Sequence, residues 1–163
     1  MRTRYPDLFV ACRMSVKTIG ICYGWPAIKE GRDQGTICLQ GIAVLGKFAG
    51  KGYGSRLLRF FEGQVERMGG HTVTLGSAGG FVDHFYIKNG YGPVSYMICL
   101  PADRGISPHL AVEHAIASER LDGDLRRLYV NVTGLDNALR DRLMADFNAI
   151  EVAAIMDKRL TGP

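Results

Sequence analysis

Gln40-Gly-Ile-Ala-Val-Leu-Gly-Lys-Phe-Ala-Gly-Lys-Gly-Tyr-Gly-Ser-Arg-Leu-Leu58 reads as strand, glycine loop and helix. The apolar run Ile42–Leu45 is strand-like. Gly46 to Gly54 places glycines at 46, 50, 52 and 54 and leads to Ser55, a helix start. Behind it Leu57, Leu58, Phe61, Val65 and Met68 fall at helical spacing, while Arg56, Arg59, Glu62, Glu66 and Arg67 take other faces. Gly69-Gly70 closes the helix, as C-terminal glycines do.

A glycine-rich turn leaves backbone N–H groups unshielded, and the helix behind it adds the positive end of its dipole. A phosphate or pyrophosphate fits such a place, and Lys51 adds a charge. A tight strand-to-helix turn that needs φ > 0 and binds nothing would use the same glycines. Two phosphate motifs fail on register. A Walker A loop needs Gly, four residues, then Gly-Lys-Ser/Thr, whereas Gly46 is followed by Lys51-Gly52. A dinucleotide fingerprint from Gly52 and Gly54 needs glycine where Leu57 stands, and one from Gly50 meets Tyr53.

The stretch resembles the acyl-coenzyme A loop of the GNAT N-acetyltransferase superfamily. That family's pattern is Arg/Gln-x-x-Gly-x-Gly/Ala at the start of its central helix. Ala49-Gly50-Lys51-Gly52-Tyr53-Gly54 matches at both glycines, and Ala49 stands where the family has Arg or Gln. A second piece, Phe85-Tyr86-Ile87-Lys88-Asn89-Gly90-Tyr91, looks like the family's Phe-Tyr-x-Lys-x-Gly-Phe/Tyr. The resemblance implies acetyl-CoA as cosubstrate. It would be held by Ile42, Ala43, Val44, Ala49, Gly50, Lys51, Gly52, Tyr53, Gly54, Ser55, Phe85 and Lys88. It also implies Tyr86 as general acid for the leaving thiolate; a phenol near pKa ~10 matches a thiolate in basicity. Taken alone, Phe85-Tyr86 reads as an aromatic pair anchoring a helix in the core; with the glycine loop at the family's separation, the resemblance favours the catalytic role. Gly79 lies six residues before Phe85, where the family often has Asn.

The chain has 163 residues and 47% hydrophobic content, enough for one cored domain. Its net charge of +4 suits a polyanionic cofactor and is too diffuse to point to nucleic acid. No apolar run approaches the ~20 residues of a membrane span. The start, Met-Arg-Thr-Arg-Tyr-Pro, lacks a signal peptide's apolar core. Cys12, Cys22, Cys38 and Cys99 form no CxxC pair and read as buried, reduced thiols of a cytoplasmic protein.

In chain order, Leu8–Met14, Lys17–Trp25 and Thr36–Leu45 read as three strands of an antiparallel meander, with Pro26–Gly35 a loop. The family begins with a further strand and two helices, which this chain is expected to lack. His71–Leu75 reads as a strand parallel to the third, completing strand–helix–strand, with His71 at its edge. Phe81 to Asn89 is a short helix stopped by Gly90. Tyr91–Leu100 carries Val94, Tyr96, Ile98 and Leu100 on one face. Family strands at this place splay apart and hold the pantetheine. Leu110–Arg120 has helix-forming composition and Arg127–Thr133 alternates like a strand. Gly134–Phe147 sets Leu135, Leu139, Leu143 and Phe147 four apart, as one helical stripe. Ile150–Leu160 resembles the closing family strand.

For the amine's proton nothing marks a base. Gln40 stands where some family members have a carboxylate. Asp83 and His84 read as solvent-facing. His109 and His114 are five apart, off the four-residue spacing of a helical metal pair, so no metal is expected.

The expectation is a mixed α/β fold (α+β mixed sheet), GNAT-like and acyl-CoA-binding: an antiparallel meander, strand–helix–strand, and a splayed C-terminal strand pair. Residues 1–163 would form one domain, with 1–100 the acetyl-CoA-binding core, 101–148 an insertion and 149–160 the closing strand. The function implied is an N-acetyltransferase acting on a primary amine of an unidentified acceptor. A non-catalytic acyl-CoA sensor and a subunit of an acetyltransferase complex are the alternatives. The insertion could cover the face left by the missing helices or join a homodimer.

Overall fold

The computed structural model describes residues 5–27 and 35–160. Residues 28–34 of the expected loop lie outside that range. Among the described residues, eight strands and four α-helices make a mixed α/β fold. The chain divides into two compact units: Met1–Leu75 with Lys158–Pro163, and Gly76–Asp157.

In the first unit, β1 (Phe9–Met14), β2 (Lys17–Pro26) and β3 (Thr36–Val44) form the expected antiparallel meander. β4 (Thr72–Ser77) pairs in parallel with β3, and the order is β1-β2-β3-β4. Strand and helix periods explain the packing. Ile37 and Leu39 alternate inward on β3, and Val73 and Leu75 on β4, while α1 (Tyr53–Arg67) buries Leu57, Leu58, Phe61 and Val65. Burial of such side chains is worth roughly 1.5–3 kcal/mol each. Met68, expected on this stripe, is 44% exposed. It is the C-cap of α1, one step past the last helical residue. Glu62, expected outside, is buried and takes a 2.8 Å hydrogen bond from Lys158 Nζ.

α1 ends in a Schellman motif. Gly69, at φ +80°, donates its N–H to Glu66 O at 2.9 Å, and Gly70 N–H reaches Val65 O at 2.9 Å. A side chain at Gly70 would meet Val65 Cγ1, so this corner also has no room for one.

In the second unit the strand order is β8-β5-β7-β6, all neighbours antiparallel. These strands are β5 (Gly92–Pro101), β6 (Ile116–Asp122), β7 (Leu125–Asn131) and β8 (Glu151–Arg159). The helices are α2 (Phe81–Lys88), α3 (Pro108–Glu113) and α4 (Asn137–Asp146). The helix expected over Leu110–Arg120 is cut short. Ala115, at φ +48°, ends α3, and the following residues pair with β7 as β6. Pairing in the ladder overrides a local preference for helix. Val94, expected on the inner face of β5, is exposed because the β5–β8 register shifts between Pro93 and Ser95. The α4 stripe is buried at Leu143 and Phe147 and only half-buried at Leu135 and Leu139.

Candidate active site

The glycine loop and the edge of β3 form one continuous feature of the first unit. The β3–β4 ladder runs from Thr36/Thr72 to Leu39/Leu75, and β3 continues to Val44. At the point of departure β3 carries a bulge. Tyr23 faces Gly41 and Gly24 faces Leu39, so Gln40 is the extra residue. A bulge bends a strand and increases its twist, which turns β3 away from its parallel neighbour. Leu45 N–H bonds Ile19 O at 2.9 Å. Peptide groups of a strand alternate between its two edges. Ala43 therefore faces β2, while Ile42 and Val44 turn their N–H and C=O to the edge that β4 has left.

That edge leads into the loop. Gly46–Phe48 makes a 3₁₀ turn, closed by Phe48 N–H to Leu45 O at 2.8 Å. Gly50 and Gly52 then take φ +71° and +80°, a left-handed backbone that side chains disfavour by roughly 1–2 kcal/mol. An added Cβ at Gly46, Gly50 or Gly52 would meet no atom within 4 Å. At Gly50 and Gly52 it is conformation, not crowding within the chain, that asks for glycine. Gly52 is the N-cap of α1, so the helix begins at Tyr53 rather than Ser55, and no side chain caps it. The first helical bond runs from Arg56 N–H to Gly52 O at 3.1 Å. The N–H groups of Tyr53, Gly54 and Ser55 precede that bond and point out of the helix end. The first turn has no acidic residue. Phe48 packs edge-on to Tyr53, with ring centroids 6.0 Å apart. Lys47 Nζ and Lys51 Nζ lie 5.1 and 5.9 Å from the Phe48 centroid. Backbone donors, a helix dipole and two ammonium groups thus converge beside an exposed Ala49.

In the second unit α2 follows Gly79 and Gly80, at φ +110° and +63°. Its buried residues are Asp83 and Tyr86. Phe85 is half-buried and Lys88 exposed. Asp83, expected in solvent, accepts from Ser77 Oγ at 2.6 Å and from Arg140 Nη2 at 2.9 Å. It is engaged on both oxygens and unfit as a free base; His84 is exposed as expected. Sequence reasoning missed Arg140, whose partner lies 57 positions away. α2 closes with a second Schellman motif. Gly90, at φ +89°, donates its N–H to Ile87 O at 2.9 Å, and Tyr91 N–H reaches Tyr86 O at 3.1 Å. The apolar contact that accompanies this motif is Tyr86 against Tyr91, with ring centroids 5.7 Å apart. The spacing Tyr-x-x-x-Gly-Tyr thus has a local structural cause. The Tyr86 ring is held by Phe85 and Tyr91.

All four cysteines are thiols; Cys22 and Cys99 are buried, Cys12 and Cys38 only half-buried. Burial, with the Glu62 charge adding to it, pushes the Cys22 thiol up to about 12. His109 faces Glu113 at 3.6 Å and His114 faces Asp146 at 2.8 Å. Among the described residues, no cluster of three His, Cys, Asp or Glu could hold a metal ion. No described helix is long and apolar enough to cross a membrane.

Residues 3–91, more than half of the chain, match the model of the Acetyltransferase (GNAT) family. No curated protein sequence matches. The chain is similar to the solved structure of an IAA acetyltransferase from Bacillus cereus ATCC 14579, at 16% identity. That match covers 96% of this chain and 81% of the other, with a TM-score of 0.53. A ribosomal-protein-alanine N-acetyltransferase from Brucella melitensis matches at 14% identity over 98% and 74%, with a TM-score of 0.54. An aminoglycoside 6′-acetyltransferase type Ii matches at 18% identity over 95% and 70%, with a TM-score of 0.52. At such identities the likeness is one of fold.

Proposed function

This chain belongs to the GNAT family of acetyltransferases, and on that premise we propose that it transfers the acetyl group of acetyl-CoA directly to a primary amine. The observation that carries the reading is the edge of β3 running into the uncapped start of α1. The pyrophosphate lies on the N–H groups of Tyr53, Gly54 and Ser55, with Lys47 and Lys51 adding charge. Gly50 and Gly52 shape the turn, and Ala49 leaves it without a side-chain donor. The pantetheine amides bond the Ile42 and Val44 peptide groups as an added strand would.

An N–H on that edge polarises the thioester carbonyl, and the charge it meets grows as the amine attacks. The new C–N bond forms, the C–S bond breaks, and Tyr86 gives its proton to the departing sulfur. The amine's surplus proton leaves to water. Holding both reactants in place supplies much of the rate. Residues 101–148 are an insertion before the closing strand of one acetyl-CoA-binding domain.

Titration calorimetry with acetyl-CoA, and with dephosphorylated pantetheine as control, tests the first step. Micromolar binding that requires the pyrophosphate supports the loop's role and leads to an acceptor screen by thiol release. Absence of binding at millimolar acetyl-CoA sinks the reading. One observation favours a second reading, a non-catalytic acyl-CoA sensor: the carboxylate nearest the tyrosine in sequence, Asp83, is consumed by Arg140 and Ser77. Tyr86→Phe separates the two. In an enzyme it lowers turnover by roughly 10²-fold or more with affinity unchanged; in a sensor there is no turnover to lose.

A further inference from the structure

α2 is a helix of 8 residues. A helix this short has little stability of its own and takes its place from what it packs against. Its two buried side chains, Asp83 and Tyr86, lie one turn apart on one face. Tyr86 packs against the Phe85 and Tyr91 rings. Asp83 is held by directed bonds, from Ser77 at the end of β4 and from Arg140 on α4.

Arg140 is itself fixed. Its guanidinium carbon lies 5.3 Å from the Tyr96 ring centroid. The Tyr96 hydroxyl donates to Asp136 O at 2.9 Å and accepts from Asp136 N–H at 2.8 Å. Asp136 also caps α4, its Oδ1 accepting from Leu139 N–H at 2.9 Å. Glycine at 79 leaves the room that Arg140 Nη1 occupies; any side chain there would run into it. The ion pair is deeply buried, with Asp83 and Arg140 side chains 4% and 12% exposed. At that depth the loss of hydration offsets most of the attraction, so what such a pair contributes is orientation more than stability.

We infer that Arg140 is a positioning residue for Tyr86: through Asp83 it fixes the rotation and depth of α2, and so the place of the phenol. This rests on the proposed role of Tyr86 and brings the 101–148 segment into the working of the site. Lysine is no substitute, because it lacks the planar fork that spans Asp83 and the space beside Gly79.

The test uses the full chain with ¹³C-labelled tyrosine. The Tyr86 ring signal is identified by its loss in Tyr86→Phe. In Arg140→Lys the Tyr86 signal shifts, while those of Tyr23 and Tyr53 in the first unit stay. Thiol release from acetyl-CoA, with water taking the acetyl group, is measured in parallel. Arg140→Lys lowers kcat by ~10-fold with KM for acetyl-CoA within ~2-fold, the pattern of a misplaced reacting group. In a Tyr86→Phe background the same change lowers kcat by less than ~2-fold, because both act through one group. Asp83→Asn, which keeps its acceptor oxygen, repeats the test if Arg140→Lys does not fold. An unmoved Tyr86 signal, or losses that multiply in full, overturns the inference. A normal rate in Tyr86→Phe instead removes the acid role of Tyr86, and the ring signal still decides whether Arg140 places it.

Discussion

The two helices that carry the motifs, α1 in the first unit and α2 in the second, end alike and are held differently. Each closes on a left-handed glycine with the same pair of N–H to C=O bonds. But α1 has 15 residues and an apolar stripe to lay on its sheet, while α2 has 8 and leans on an ion pair. A long helix positioned by area tolerates a soft, uncapped start, and that start is free for a ligand. A short helix positioned by one charge pair is set more narrowly and breaks more easily. In the proposed function the difference separates a binding task, done by backbone, from an orienting task, done by side chains.

The largest loss should come from the stripe. Phe61→Ala removes a ring that is 0% exposed and lowers unfolding free energy by about 3–5 kcal/mol in urea titrations. Asp83→Leu is the matching blow to α2. It strands the Arg140 charge and costs about 3 kcal/mol or more, and replacing Arg140 by Met in the same chain restores most of it. If the double variant stays as weak as the single, α2 is not held by the pair.

Alkali gives the next effect, at Cys22 of the first unit. The Cys22 thiol is raised from 9.0 to about 12. Between those values the unfolded chain loses the proton and the folded one keeps it, so stability falls as pH rises, at ~1.4 kcal/mol per pH unit. Below pH 9.0 both states hold the proton and the effect vanishes. Urea midpoints from pH 8 to 10.5 in wild type and Cys22→Ala measure it; equal slopes in the two would refute it. Gly52→Ala forces a left-handed alanine and costs roughly 1–2 kcal/mol. It should also weaken acetyl-CoA in calorimetry, whereas Gly63→Ala, on the same helix but away from the loop, should leave affinity unchanged. The smallest change is Asp122→Ala. It breaks a half-exposed pair with Arg127 and stays within ~1 kcal/mol of wild type.

What could be read in advance divides along the same line. The meander, the loop and the stripe of α1 are local: periods of 2 and 3.6 and glycines at set steps announce them. Phe85 to Tyr91 was legible for the same reason, since its spacing is that of a helix-closing motif. The buried pairs were not. Asp83 meets Arg140, and Glu62 meets Lys158, across long stretches of chain, and no short window holds both partners. Leu110–Arg120 shows the converse. Its residues favour a helix locally, yet the ladder with Arg127, Leu128, Tyr129 and Val130 on β7 claims those from Ile116 onward. Whether Tyr86 gives up a proton is likewise not written in its spacing, because a packed ring and a working phenol share one sequence.

Lys158 belongs to the first unit, although residues of β8 just before it belong to the second. Leu160 follows suit, its N–H on His71 O at 2.8 Å. On the ribosome, where folding runs from the first residues onward, the glycine loop and the meander emerge well before Lys158. The carboxylate of Glu62 must then wait for its ammonium until nearly all of the described chain has been made. Until that moment the Lys158–Glu62 bond beneath α1 cannot form, so a bond within the first unit waits for the whole of the second to be made.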